Sequence, residues 1–271
     1  MTPSLPPPYY DSQGITLYRG DCLELLSLMP EESFDMVFAD PPYHLSNDGI
    51  TCHAGRMVSV NKGDWDRSKG VEADHEFVMS WLDACRRVMK PDATIWVSGT
   101  QHIIYSVGFA MQKLGFRILN DIIWYKINPP PNLACRYFTH STEIVLWAAK
   151  SKKSRYTFNY DEMKQTPNPP FDDAGKQMKS IWAIPPPGKE EKTFGKHPTQ
   201  KPVRLLNRII RASTHPGDLI LDPFVGSGTT AVAALINGRR CVGVDLSADY
   251  LVKAALRLTE RTAQRSLSRQ T

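Results

Sequence analysis

Short apolar runs alternate with helix-periodic segments along most of the 271 residues, and this alternation restricts the fold class more than any other feature. A strand, a helix and a second strand in succession usually form a parallel pair with the helix packed across it. The strand-like runs are 15–21, 34–39, 94–98, 116–125, 143–148, 218–221 and 240–245. The helical segments are 23–28, 72–89, 102–115, 203–213, 229–236 and 249–262. We therefore predict an α/β fold with a mostly parallel sheet and helices on both faces.

Two segments interrupt this pattern. Residues 44–70 are rich in Gly, Asn, Asp and Ser and predict one long loop, a kind of segment that is usually functional or disordered. Residues 151–196 contain six prolines, and nine Lys or Arg against six Asp or Glu, without a clear period. They predict an inserted lobe.

Charge is distributed unevenly over a net +5. Residues 151–196 contribute +3, and residues 252–271 contribute +4 from five basic residues and one glutamate. Positive charge confined to two segments is typical of a protein that binds a polyanion, and equally of a solvated tail. The last five basic residues recur every four positions and favour a frayed, solvated helix end over a basic stripe: Lys253, Arg257, Arg261, Arg265 and Arg269.

Composition excludes several classes of protein. Hydrophobic and charged contents of 41% and 23% are ordinary for a globular enzyme, and there is no run of about 18 apolar residues that could span a membrane. Residues 1–10 are proline-rich and lack the layout of a signal peptide, so we expect a cytoplasmic protein. The five cysteines form no Cys-x-x-Cys pair, which argues against a zinc site and a disulfide framework; we expect reduced thiols and no metal.

The segment Asp222-Pro-Phe-Val-Gly-Ser-Gly-Thr-Thr230 joins a predicted strand to a predicted helix. Its glycines allow a ligand to approach the backbone closely. It is neither a phosphate-binding loop nor the Gly-x-Gly-x-x-Gly pattern of dinucleotide sites. The next strand ends at Asp245, whose carboxylate could bind both hydroxyls of a ribose. A nucleoside without a pyrophosphate therefore fits better than NAD, while a simple helix-entry turn remains the alternative.

A second motif, Asp40-Pro41-Pro42-Tyr43, follows the apolar strand 34–39, at a strand end where open α/β sheets bind ligands. The Asp40 carboxylate and the Pro41 carbonyl could accept both N–H bonds of an exocyclic amine and stabilise the positive charge that develops when it is methylated. Two prolines stiffen the loop, and Tyr43 offers a flat face for a base that has flipped out of a duplex. A common Asp-Pro-Pro turn without this chemistry is the alternative.

With Asp222–Gly228 downstream and a basic insert between them, these motifs resemble the β-class amino-methyltransferases of restriction–modification systems. The resemblance covers about residues 10–262 and is strongest to the DpnA-type adenine methylases of the DpnII system, which modify GATC. Four segments carry it: Phe38–Tyr43, Lys62–Asp66, Cys135–Thr142 and His197–Pro202. It implies a circularly permuted Rossmann-like S-adenosylmethionine-dependent methyltransferase fold, with a mostly parallel seven-stranded sheet and an inserted DNA-recognition lobe.

The resemblance also implies a site and a domain plan. The catalytic loop would be Asp40, Pro41, Pro42 and Tyr43, with Asp40 favouring adenine because cytosine-N4 enzymes usually have serine there. Asp245 would hold the cofactor ribose, and Asp21 and Cys22 would border its adenine ring. The remaining cofactor-binding residues would be Asp40, His197, Thr199, Gln200, Lys201, Asp222, Phe224, Gly226, Ser227, Gly228 and Thr229. The parts would be 10–150 (catalytic), 151–196 (target recognition), 197–262 (cofactor-binding) and 263–271 (basic tail).

The expected partner is DNA, with double and single strands both open, in a bacterial or phage-encoded enzyme. Related enzymes are often dimers, and a homodimer is the corresponding expectation here. Cytosine-N4 methylation, methylation of RNA or of a protein amide, and a catalytically silent DNA-binding regulator are the alternatives. For Asn128, Arg136 and His140, which flank the prolines at 129–131, DNA contact and loop capping are both open. Cys22 is interpreted as a packing residue, His197 as a structural or cofactor-packing residue, and Trp96, Trp124 and Trp147 as core.

Overall fold

The structure is a computed structural model that describes residues 4–43, 50–53, 56–59, 66–171, 175–195 and 198–268. The helices are α1 (Cys22–Leu28), α2 (Val71–Val88), α3 (Ile104–Lys113), α4 (Tyr160–Gln165), α5 (Val203–Ser213), α6 (Thr229–Ile236) and α7 (Ala248–Ser268). The strands are β1 (Tyr10–Ser12), β2 (Ile15–Arg19), β3 (Phe34–Ala39), β4 (Ile50–His53), β5 (Arg56–Ser59), β6 (Met89–Gly99), β7 (Arg117–Tyr125), β8 (Thr142–Ala149), β9 (Ile181–Ala183), β10 (Leu219–Asp222) and β11 (Arg240–Asp245).

Nine of these strands form one sheet in the order β1-β2-β11-β10-β3-β6-β8-β7-β9. Only β1 and β8 run against the other seven strands, so the prediction of a mostly parallel sheet is confirmed. The expected number of seven strands is too low. The seven predicted strands are the central ones, and β1 and β9 extend the two edges. Each has three residues, which is too short to show the period of two that identifies a strand.

The helices cover both faces of the sheet, as predicted. Side chains of β3 alternate between two apolar clusters: Met36 and Phe38 belong to one, Val37 and Ala39 to the other. The first cluster includes α5, α6 and α7, and the second includes α1, α2 and α3. The sheet is therefore buried on both faces, and only its strand ends are available for a site. Within the described residues, no helix is long and apolar enough to cross a membrane.

Two segments differ from the sequence-based expectation. The predicted loop 44–70 contains the antiparallel hairpin β4–β5. The predicted lobe 151–196 is partly built into the main core, because β9 pairs in parallel with β7 and the indole of Trp124 donates a 2.7 Å hydrogen bond to the Ile184 carbonyl. Trp182 and Ile184 are buried with the first cluster. Strand β9 of this segment therefore extends the sheet.

The parallel strands β2, β11, β10 and β3 end at one edge of the sheet. Asp245 and Asp222 are the last residues of β11 and β10, and Asp40 directly follows β3. The acidic residues predicted from separate motifs therefore meet at one edge, where ligands bind in open α/β sheets.

Candidate active site

The Asp40 carboxylate lies at the centre of a buried hydrogen-bond network. Its Oδ1 accepts hydrogen bonds from the Tyr43 hydroxyl and the Ser98 hydroxyl, each at 2.6 Å. Its Oδ2 accepts one from the Lys201 ammonium at 2.6 Å. Ser98 lies near the end of β6, beside β3 in the sheet, so the parallel pairing of these strands brings the two side chains together. The carboxylate is thus held in one orientation by three donors.

Four charged side chains surround this point, and we call them the charge cluster: Asp40, Lys126, Glu143 and Lys201. Lys126 forms a salt bridge with Glu143 Oε1, and the Lys201 ammonium lies 3.6 Å from Glu143 Oε2. Burial raises the pKa of Glu143, but Lys201 and Lys126 outweigh burial and leave that pKa below its ordinary value. Burial lowers the pKa of Lys201, yet Asp40 and Glu143 leave it above its ordinary value. Glu143 and Lys201 are therefore charged near neutral pH. The formal charges of the two acidic and two basic side chains of the cluster sum to zero.

Tyr43 is packed into the charge cluster. Its side chain is 4% exposed, its hydroxyl lies 3.2 Å from Glu143 Oε2, and the Lys201 ammonium lies 5.0 Å from its ring centroid. Its backbone N–H donates to Asp66 Oδ1 at 2.9 Å. Burial, followed by the charges of Asp40 and Glu143, raises its pKa well above the ordinary value. In this arrangement the ring does not present the open stacking face that the sequence predicts.

The glycine turn between β10 and α6 is fixed by carboxylates at its two ends. Gly226 has a left-handed φ of 50°, and its N–H donates to Asp245 Oδ2 at 2.9 Å. The other oxygen of Asp245 accepts a hydrogen bond from the Ser247 N–H at 2.7 Å. Asp222 accepts one from the Phe224 N–H at 3.0 Å and is only 2% exposed. Burial raises the pKa of Asp222 to about 7.

A cleft lies between this turn and the Asp40 loop, and we call it the glycine-turn cleft. It is lined by Phe38, Asp40, Thr199, Gln200, Lys201, Asp222, Phe224, Val225, Gly226, Ser227, Thr229 and Thr230. Asp40 is a member of both the cleft lining and the charge cluster. A ligand in the cleft would therefore lie directly beside the Asp40 carboxylate.

Comparison with known proteins decides the family. The profile of the DNA methylase family matches residues 34–256, which include both motifs and the cleft between them. The chain belongs to the DNA methylase family. The expected membership among amino-methyltransferases is confirmed.

Relatives of this DNA methylase share most of its length. It is 54% identical over 252 residues to the Type II methyltransferase M2.DpnII of Streptococcus pneumoniae, covering 93% of this chain and 92% of the relative. It is 53% identical to M2.LlaDCHI of Lactococcus lactis subsp. cremoris, with the same coverage, and 45% identical to M2.MboI of Moraxella bovis, covering 94% and 92%.

Solved structures share the fold. A complex of M1.HpyAVI with S-adenosylmethionine is 25% identical, with a TM-score of 0.65 over 90% of this chain and 98% of the other. The cytosine-N4-specific PvuII DNA methyltransferase is 22% identical, with a TM-score of 0.70 over 92% and 88%. The expected S-adenosylmethionine-dependent methyltransferase fold is confirmed.

The side chains that line the glycine-turn cleft of this methylase have the chemistry needed to bind S-adenosylmethionine. The carboxylates of Asp40 and Asp222 suit a cofactor with a cationic sulfonium and an ammonium group, and Phe224 offers an apolar wall. Asp245 adjoins the cleft through Gly226 and retains free lone pairs for ribose hydroxyls. Within the described residues, no group of His, Cys, Asp and Glu could hold a metal ion.

The cofactor residues predicted from sequence, apart from Gly228 and Asp245, fall into three sets. Asp40, Thr199, Gln200, Lys201, Asp222, Phe224, Gly226, Ser227 and Thr229 line the cleft. Asp21 and Cys22 lie outside that lining but close to Asp245, because the Gly20 N–H donates to the Asp245 carbonyl at 3.1 Å. Asp21 caps α1, and burial raises the pKa of Cys22 to about 12, so its thiol is neutral and acts in packing. His197 lies outside the described residues, as do 62–65 of the Lys62–Asp66 motif.

Gly228 has a packing role. Its φ is 81°, and a Cβ there would lie 2.7 Å from the Cβ of Ala254 in α7. It therefore allows α7 to pack directly on the glycine turn.

Arg257 does not belong to a solvated helix end, contrary to the prediction from sequence. It is 7% exposed, and its guanidinium donates to the Ser227 carbonyl at 2.7 Å and to Thr229 Oγ1 at 3.0 Å. Burial lowers its pKa to about 10, so it remains a cation near neutral pH. Arg257 thus buttresses the glycine turn from α7 and does not face a polyanion.

Sequence reasoning also missed Ser98, Lys126 and Glu143. The available signal was a glutamate near the start of an otherwise apolar strand, β8, which also adjoins the quoted Cys135–Thr142 segment. A buried acid at a strand end, at the same edge as Asp40, is a site candidate on physical grounds.

Proposed function

We propose that this DNA methylase transfers a methyl group from S-adenosylmethionine to the exocyclic N6 of adenine in GATC. The observation that carries the proposal is that Asp40 lines the glycine-turn cleft and also anchors the charge cluster. One carboxylate therefore faces both the place of the methyl donor and the place of the amine. An aspartate before Pro-Pro favours adenine, and the similarity to M2.DpnII and M2.MboI supports the DpnII-type site.

The chain's own residues supply positioning and electrostatics. S-adenosylmethionine, when bound, supplies an electrophilic methyl group. Asp40 accepts one N–H of the target amine and the Pro41 carbonyl accepts the other, which orients the nitrogen lone pair toward the cleft. Asp40 already accepts three hydrogen bonds, and because a carboxylate has about four acceptor sites, one site on Oδ2 remains for the amine. Outward rotation of Tyr43 would free a further site on Oδ1 and expose the tyrosine ring to the flipped base.

Neutrality of the charge cluster then favours reaction. The amine gains positive charge as the methyl group is transferred, and a lone Lys201 ammonium beside it would oppose this. Glu143 offsets that ammonium from 3.6 Å. Asp40 remains available to stabilise the developing cation.

Product analysis tests the proposal. Duplex oligonucleotides with one GATC are incubated with enzyme and labelled S-adenosylmethionine, then digested to nucleosides and separated. We expect N6-methyladenine, and no label in a duplex with the site changed to GTTC. N4-methylcytosine would support the second candidate, which the shared fold of the cytosine-N4-specific PvuII enzyme favours. Absence of label in all DNA would support a catalytically silent DNA-binding regulator.

The expected DNA contacts, cellular location, single-strand activity and oligomeric state are part of the same proposal. Residues 151–196 and the tail 263–271 would contact DNA, the enzyme would work in the bacterial cytoplasm with a cognate restriction enzyme, and it would accept single strands and form a homodimer. Methylation of the single-stranded oligonucleotide and light scattering of the purified protein test the last two points directly.

A further inference from the structure

The loop between β7 and β8, residues 126–141, projects from the edge of the sheet that carries the active site. Its two ends are joined by a 2.7 Å hydrogen bond from the Lys126 N–H to the Ser141 carbonyl. Lys126 also pairs with Glu143, which contacts the Tyr43 hydroxyl. The base of the loop is therefore fixed to the charge cluster.

The tip of this loop has a defined internal structure. The Asn132 side chain donates to the Tyr137 carbonyl at 2.6 Å and accepts from the Ala134 N–H at 3.1 Å. Cys135 adopts a left-handed φ of 52° that turns the chain. His140 lies 3.4 Å from the Gln101 side chain in the neighbouring loop. These contacts hold the outer residues of the loop in place.

This ordered loop leaves a phenyl ring in solvent. Phe138 is 96% exposed, the largest exposed fraction among the large hydrophobic side chains that the structure describes. Tyr137 beside it is 61% exposed, and Arg136 is exposed as well. Two neighbouring exposed rings on an ordered loop beside an active site make this loop a candidate surface for a bound partner.

The chemistry around Phe138 favours DNA over a second protein surface. A stable protein interface buries about 800 Å² on each partner, whereas residues 133–140 are one exposed loop with a cation next to the rings. A single planar ring with an adjacent guanidinium suits a gap between stacked bases flanked by phosphates. Such a gap forms when a base leaves the duplex.

We propose that Phe138 inserts into duplex DNA beside the flipped adenine and fills the space that the base leaves. The inference rests on the proposed function, because it requires a target base that flips into the site. Arg136 contacts the adjacent phosphate. Phe138 is then needed for opening paired DNA and dispensable once the target is already unstacked.

The test compares two duplexes, one fully paired at GATC and one with an abasic site opposite the target adenine. Loss of one stacking contact should lower kcat/KM of Phe138→Ala on the paired duplex by roughly tenfold or more. Activity on the abasic duplex should stay near wild type, and Phe138→Trp should restore most activity on paired DNA. The fluorescence increase of 2-aminopurine at the target position should fall in Phe138→Ala.

The matched control is Phe109→Ala in α3, which removes another exposed phenyl ring outside the segments assigned to catalysis or DNA contact, and we expect it to have wild-type kcat/KM on both duplexes. Equal losses on both duplexes, or none on either, would overturn the inference while leaving the proposed function intact. A change in the mass of Phe138→Ala by light scattering would overturn it in favour of a second copy of this chain. A wild-type enzyme inactive on both duplexes would overturn the proposed function and this inference together.

Discussion

At the scale of single residues, Lys201 determines the electrostatics of the active site. Its ammonium lies between the carboxylates of Asp40 and Glu143 and is almost completely buried. Removing either carboxylate therefore has two effects: the site loses a hydrogen-bond acceptor, and the buried Lys201 ammonium loses a compensating negative charge. Substitutions that keep shape and change only charge are the informative ones.

We expect Asp40→Asn to lower methylation by roughly 100-fold or more, because the amide offers the amine a much weaker acceptor near the developing positive charge. S-adenosylmethionine affinity, measured by calorimetry, should change only a few-fold, because other residues hold the cofactor. Asp40→Ala should also abolish methylation, but it removes one of the carboxylates that face Lys201, so its stability must be checked by thermal unfolding. An active Asp40→Ala enzyme would contradict the assignment of Asp40.

For Glu143→Gln we expect kcat to fall about tenfold with a smaller change in the KM for DNA, because the cluster would gain a net positive charge beside the amine. Adding Lys126→Met restores neutrality, so the double variant should recover most of the lost kcat. If the double variant is as slow as Glu143→Gln, the net charge of the cluster does not cause the fall in kcat.

At the scale of elements, α7 supports the glycine turn through one buried cation. Arg257 reaches from α7 to Ser227 and Thr229, and Gly228 lets the helix pack close enough for that contact. The turn is therefore positioned by tertiary contacts in addition to its own glycines.

Arg257→Met keeps much of the packing volume and removes those hydrogen bonds. We expect the KM for S-adenosylmethionine to rise several-fold, with a smaller change in the KM for DNA. Arg261→Met, one helical turn further along the same helix, is the control, and its KM for S-adenosylmethionine should equal the wild-type value. A rise in the KM for DNA alone would instead assign Arg257 to DNA binding.

Elements with a clear period and clear boundaries were predictable from sequence. The predicted segments 203–213 and 229–236 match α5 and α6, because Pro202 and Gly228 mark their starts and the apolar spacing is regular. The motif residues Asp40, Phe224 and Gly226 were also predictable, because strand ends of a parallel sheet converge. The packing of Arg257 could not be predicted from sequence, because a basic residue at every fourth position gives the same pattern whether its side chain faces solvent or a glycine turn. The short strand β9 likewise lacks a local signal.

At the scale of the whole molecule, Asp222 links the active site to the pH dependence of folding stability. Its pKa in the folded protein is about 7, against an ordinary value of 3.8. The folded state therefore holds a proton that the unfolded state releases between these values. The stability that this proton provides is complete below about pH 4 and is lost as the pH rises through 7.

We expect Asp222→Asn to remove this contribution. Urea unfolding of the cofactor-free protein at pH 5 and pH 8 should show wild-type stability falling relative to Asp222→Asn by about 2 kcal/mol between the two pH values. If the unfolding free energies of the two proteins change equally between pH 5 and pH 8, Asp222 is ionised in the folded state at both pH values.

The pairing of β9 with β7 has a consequence for how such enzymes can be recombined. Exchange of residues 151–196 between two relatives would transplant an edge strand, the Trp182 ring and the Asn168 side-chain oxygen, which accepts a 2.9 Å hydrogen bond from Arg208. The segment is therefore poorly suited to exchange as an independent module. A viable chimaera would have to carry its contacts on β7 and α5 as well, so target specificity in this architecture should diversify through loop substitutions more readily than through exchange of whole modules.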